Sequence, residues 1–136
     1  MSAESSQPSE RVARGVPASV STGGVEIAVW VRAGTEPAVL FAHATGFHGR
    51  CWDAVVRRLP NRCIAPDLRG HGHSSKPEPP YPWRAFGSDL SAVARELGVR
   101  DAIGVGHSMG GHSAVVAALE QPETFRGLLL LDPTIF

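Results

Sequence analysis

Cysteine, one-signed charge and long apolar runs are all scarce in this sequence, and each scarcity excludes something. Two of the 136 residues are cysteine, Cys51 and Cys63, too few and wrongly spaced for a disulfide framework or a CxxC redox pair. Thirteen Lys and Arg balance thirteen Asp and Glu, so the chain lacks the basic excess that drives nucleic-acid binding. Lysine is nearly missing (one Lys against twelve Arg), which reads as compositional bias, not as a site. Apolar runs such as residues 114–119 and 128–131 fall far short of the ~18 residues of a membrane span. Residues 1–14 are polar and lack the apolar stretch of a secretory signal. The expectation is a cytoplasmic domain with reduced thiols and neither a membrane nor a nucleic-acid partner. What is present, 43% hydrophobic and 19% charged residues, is the composition of a globular core.

Residues 1–17 are rich in Ser, Glu, Pro and Arg and have no apolar period. They read as a flexible tail with a short strand allowed at its end, and residues 18–136 as one partial domain. Residues 25–31 are β-rich, and residues 38–42 form the continuous apolar run of a strand buried on both faces. Trp52, Val55, Val56 and Leu59 recur at helical spacing and predict a short helix ended by Pro60. Residues 63–65 form a short strand, followed by a Gly-, His- and Pro-dense loop. Phe86, Leu90, Val93, Ala94 and Leu97 mark one face of a helix. Residues 102–106 read as a strand, 109–120 as an Ala/Val-rich helix, and 127–131 as a last apolar strand closed by Asp132 and Pro133. This alternation predicts an α/β fold: a mostly parallel sheet of about six strands with helices on both faces. Ligands bind such sheets beyond the carboxyl ends of the strands. Those ends are residues 43–47, 67–75 and 107–110, and Asp132.

Gly106-His107-Ser108-Met109-Gly110 fits G-x-S-x-G. With 15 glycines and 12 serines in the chain, composition alone produces about 0.14 such matches, so the context decides. That context is a strand running in and a helix running out. A serine on so sharp a turn stands clear of the sheet at a helix N-terminus, where free N–H groups and the helix dipole favour developing negative charge. A second N–H donor is expected from the loop after an earlier strand. The loop from His43 to Phe47 is in that place, so the backbone N–H groups of Thr45 and Met109 are the expected oxyanion pair.

Three motifs in order now resemble the α/β-hydrolase superfamily. His43-Ala44-Thr45-Gly46-Phe47 is similar to its His-Gly oxyanion loop, with Ala44 where glycine is usual. Asp67-Leu68-Arg69-Gly70-His71-Gly72-His73-Ser74 is similar to its D-x-R-G-x-G-x-S loop. Gly106 to Gly111 resembles its nucleophile elbow, and Leu131-Asp132-Pro133 the end of its sixth strand. The resemblance implies Ser108 as nucleophile of a serine hydrolase that forms an acyl-enzyme on a small ester-like substrate, with no cofactor. Serine there argues against the dehalogenases and epoxide hydrolases of the family, which use aspartate. Esterase, lactonase, thioesterase, C–C hydrolase and cofactor-free perhydrolase chemistry stay open.

A serine nucleophile also needs a base and an orienting acid, in the family order serine, acid, histidine. After Ser108 the chain has one histidine, His112, four residues on in the same helix and below the elbow. His43 is expected to order the oxyanion loop by hydrogen bonding. Asp132 is a candidate acid, since some members use that position, though most place the acid after the next strand. The chain therefore reads as the N-terminal part of the fold, truncated before its last strands and lacking the catalytic histidine. Phe47, His107 and Trp83 are the candidate substrate contacts. Trp52 and Phe86 fit helical faces and serve the core equally well. The strand at residues 127–131 would leave an open apolar edge, which favours self-association.

Three rival readings compete with this one. A dinucleotide turn at Gly104-Val105-Gly106 has Met109 where the third glycine belongs. Zinc held by His71 and His73 with His43 or His48 lacks a Cys or carboxylate partner at ligand spacing, so no metal is expected. A non-catalytic binding or interaction module on the same fold is the alternative function.

Overall fold

The computed structural model describes residues 17–135. The expectation of a flexible tail falls almost wholly on residues 1–16, outside the described residues. Directly after it come β1 (Ala18–Thr22), β2 (Val25–Arg32), β3 (Thr35–Ala42), β4 (Asn61–Pro66), β5 (Ala102–His107) and β6 (Phe125–Leu131). The helices are α1 (Asp53–Val56), α2 (Trp83–Glu96) and α3 (Met109–Glu120). The six strands form one sheet in the order β1-β2-β4-β3-β5-β6. β4, β3, β5 and β6 run parallel, while β1 and β2 join antiparallel at one side.

Alternation along β3 shows why residues 38–42 read as unbroken apolar sequence. Val39 and Phe41 pack with Trp52, Cys63, Ala65 and Val105 on one face. Ala38, Leu40 and Ala42 pack with Ile64, Leu90, Val93 and Ala114 on the other. Each fully buried Val, Leu, Ile or Phe among them contributes roughly 2 kcal/mol of transfer free energy. α2 and α3 cover the second face, and α1 with its preceding 3₁₀ turn (Gly49–Trp52) covers part of the first.

The helix expected to run from Trp52 to Leu59 is a 3₁₀ turn followed by a single α-turn. Beyond Val56 the chain tightens into i→i+3 bonds, from Arg58 N–H to Val55 O and from Leu59 N–H to Val56 O. The Arg32 guanidinium, reaching over from β2, caps the carbonyls of Val56, Leu59 and Asn61. A long-range side chain thus takes acceptors that further helix would have used.

Candidate active site

The carboxyl ends of β3, β4, β5 and β6 lie along one rim of the sheet, and the chemistry-bearing residues follow them. The chain goes from β3 to β4 on one side and later returns to β5 on the other. The ends of β3 and β5 are therefore the switch point at which such sheets bind ligands.

Ser108 follows β5 with φ 53° and ψ −116°, a conformation closed to most L-residues. Backbone bonds hold it there. Its N–H donates to Leu131 O (3.0 Å), and its carbonyl accepts the N–H groups of His112 (3.2 Å) and Thr134 (3.1 Å). The flanking glycines are needed for contact. A Cβ on Gly110 would lie 2.0 Å from Ala42 O, and one on Gly106 would lie 2.6 Å from Gly110 O. α3 thus presses its first turn against the end of β3. Met109 is its first residue, so the Met109 N–H has no acceptor within the helix and points out at its start.

The loop after β3 comes to the same place. Ala44 O accepts the Phe47 N–H (3.1 Å) to close a turn that leaves Thr45 exposed. The Thr45 hydroxyl donates to Met109 Sδ at 3.4 Å, joining residues 64 positions apart. The side chains of Thr45 and Met109, the two residues of the expected pair, are therefore in contact.

His43 is fully buried. Its Nε2 accepts the Leu68 N–H (2.9 Å), which leaves the ring proton on Nδ1 to donate to Ala44 O (2.8 Å). Burial, reinforced by nearby His71, pushes its pKa down to about 4 despite the Ala44 bond, so the ring is neutral at neutral pH. Both ring nitrogens are engaged, which removes His43 from any metal site. Asp67, also fully buried, accepts the Gly49 N–H (2.7 Å) and the His73 N–H (2.8 Å). Arg69 makes a two-pronged ion pair with buried Asp89 of α2 (2.6 and 2.8 Å). Hydrogen bonding by Asp89 keeps the Arg69 pKa raised.

The other sequence candidates are more scattered. Asp132 follows β6 with φ 44°, exposed; the register pairing His107 with Leu131 sets it beside Ser108. His107 is half-buried at the end of β5, and Phe47 is exposed on the loop after β3. Trp83 opens α2, with its ring edge-on to His112 (5.4 Å) and Phe86 (6.2 Å). Met109 packs with Leu68 and Phe86, linking that aromatic group to the elbow. The sequence reading missed Thr134, whose hydroxyl lies 3.3 Å from Ser108 Oγ. The parallel register of β5 and β6 brings it there, and no local sequence pattern signals that register.

A six-stranded, mostly parallel sheet with a strained serine turn at its switch point defines an α/β-hydrolase architecture. The model of the Alpha/beta hydrolase family matches residues 39–136, and the chain belongs to that family. It is 36% identical over 103 residues to the 2-(acetamidomethylene)succinate hydrolase of Mesorhizobium japonicum, covering 74% of this chain and 37% of that protein. It is 34% identical over 116 residues to an esterase of Mycobacterium tuberculosis, covering 85% of this chain and 38% of the esterase. Among solved structures, a hydrolase from Pseudomonas aeruginosa superimposes with a TM-score of 0.80 at 30% identity, over 87% of this chain and 46% of that one. The chain thus spans less than half the length of these relatives. Among the described residues no helix is long and apolar enough to cross a membrane.

Proposed function

We propose that the chain carries the nucleophile and oxyanion half of a serine hydrolase acting on small ester-like substrates. The observation that carries this reading is Ser108, held strained at the start of α3 within reach of a loop that brings Thr45 against Met109. Relatives named as a hydrolase and an esterase support it.

In the first step Ser108 Oγ bonds to the substrate carbonyl carbon while the C=O π pair moves onto oxygen. The N–H groups of Thr45 and Met109 hold that oxyanion. As the intermediate collapses, the alcohol leaves with the proton taken from Ser108, and an acyl-serine remains. Water then adds to the acyl carbon and gives up a proton, and as the second intermediate collapses that proton goes to Ser108 Oγ and the carboxylic acid departs. Asp132 is the candidate acid, and Phe47, His107 and Trp83 the candidate substrate contacts. No histidine of this sequence is assigned as the proton carrier. His43 is neutral and committed to Leu68 and Ala44, and His112 lies along α3 toward Trp83.

The test is covalent labelling by a fluorophosphonate of the protein as its gene encodes it. Label mapped to Ser108, and lost in Ser108→Ala, is expected. Unchanged labelling in that variant would end the nucleophile reading. The 136-residue polypeptide alone is expected to hydrolyse p-nitrophenyl acetate no faster than its Ser108→Ala form. Fast Ser108-dependent turnover by it would locate the base within the chain.

A further inference from the structure

We propose that Asp67 is a positioning residue for the oxyanion loop, completing with His43, already expected to order that loop, a brace of its two ends against the segment that follows β4. The inference rests on the serine-hydrolase reading above. The loop leaves β3 at residue 43 and enters the 3₁₀ turn at residue 49. At its first end the His43 side chain takes the Leu68 N–H (2.9 Å). At its far end the Gly49 N–H donates to Asp67 Oδ1 (2.7 Å). The exchange is reciprocal: a side chain of the first loop binds the backbone of the second, and a side chain of the second binds the backbone of the first. Both anchors in the second loop are consecutive residues at the end of β4. Only residues 44–48 lie between the braces, and Thr45 is among them.

Burial makes this arrangement unusual for an ordinary connection. Asp67 and His43 are both 0% exposed. A buried carboxylate or imidazole is costly unless its hydrogen bonds are met, and a plain turn has no need of either. Here the second carboxylate oxygen is met as well, by the His73 N–H (2.8 Å). The loop closes so tightly on it that a Cβ at Gly72 would lie 2.3 Å from Asp67 Oδ2. A backbone N–H that must meet an oxyanion at hydrogen-bond distance has to be fixed to a fraction of an ångström, which a loop tied at one end does not achieve.

The experiment measures the second-order rate of Ser108 phosphonylation by a fluorophosphonate, alongside melting temperature, in the protein as its gene encodes it. Asp67→Asn has one acceptor oxygen for two N–H donors and is expected to react at least tenfold more slowly while folded. His43→Ala is expected to slow as much. His43→Gln, whose side-chain oxygen reaches toward the Leu68 N–H, should recover to within about threefold of wild type. Glu120→Gln supplies a control for stability alone: it weakens the contacts of Glu120 with Ser88 and Ser91 between α2 and α3, away from the loop. It should lower the melting temperature and leave the rate within twofold. Folded Asp67→Asn and His43→Ala proteins reacting at the wild-type rate would overturn the proposal and leave the nucleophile reading intact. A wild-type protein not labelled at Ser108 would instead remove the reading and this inference with it. Should either variant fail to fold, hydrogen exchange in the wild type decides. The Gly49 and Leu68 amides are expected to exchange at least a hundredfold more slowly than Gly46, and equal rates would sink the braces.

Discussion

Gly110 and Gly127 are the same residue type under opposite constraints, and they separate what the elbow demands from what a strand tolerates. At Gly110 a methyl group would meet the Ala42 and His43 carbonyls at 2.0 and 2.6 Å, and backbone cannot yield cheaply. Gly110→Ala should cost about 3 kcal/mol in a urea titration, at the high end for overpacking. At Gly127, exposed on β6, an added methyl group would meet nothing within 4 Å, so Gly127→Ala should be neutral or stabilising by about 0.5 kcal/mol. His43 gives a pH signature at the same scale. Its folded pKa of about 4 lies below the ordinary 6.5, so the unfolded chain binds more protons between those values. Stability from this group is complete above pH 6.5 and is lost as pH falls toward 4, by about 3 kcal/mol at 1.36 kcal/mol per pKa unit. Urea midpoints at pH 7.0 and 4.5 should show that slope in wild type and a flatter one in His43→Gln. Ser108 was legible in the sequence because its flanking glycines are local. Thr134 was not, because its approach to Ser108 depends on strand register, which no short pattern carries.

At the scale of elements, an ion pair ties the loop after β4 to α2. Asp89 is almost wholly buried and Arg69 largely so. Removing one partner strands the other charge, which for buried pairs is costly. Asp89→Asn should therefore lose roughly 2–4 kcal/mol by chemical denaturation, and Arg84→Gln, which removes the exposed partner of half-buried Glu120, under about 0.5 kcal/mol. Strand and helix positions were mostly readable, since β3 is an apolar run and α2 a regular stripe. The overlong helix at Trp52 had a reason that spacing conceals: Arg32, twenty residues and more upstream, caps its carbonyls. The sheet order was equally hidden, because β2 pairs with β4 across the intervening β3 in sequence.

For the whole molecule, one face of the sheet is unevenly covered. β6 turns Leu128 and Leu130 toward the core under α3, while Leu129 and Leu131 are exposed at 56% and 44%. They continue an apolar trough with Phe41, Ile103 and Val105 that α1 covers only at its other side. A polypeptide of these 136 residues should self-associate at micromolar concentration through this surface and the outer edge of β6. Leu129→Lys with Leu131→Lys should shift its sedimentation toward monomer; unchanged association would place the contact elsewhere. The family architecture was legible from three motifs in order, because each marks the end of a parallel strand.

If Ser108 is the nucleophile proposed above, the bonds that pin it also set when its reactivity arises. Its N–H is held by Leu131 and its carbonyl by Thr134, both supplied by the last strand and the residues after it. Until β6 has docked beside β5, nothing from that side enforces the strained backbone. On that reading a nascent or partly unfolded chain should be silent at this position, and reaction with an electrophile should serve as a clock for completion of the sheet.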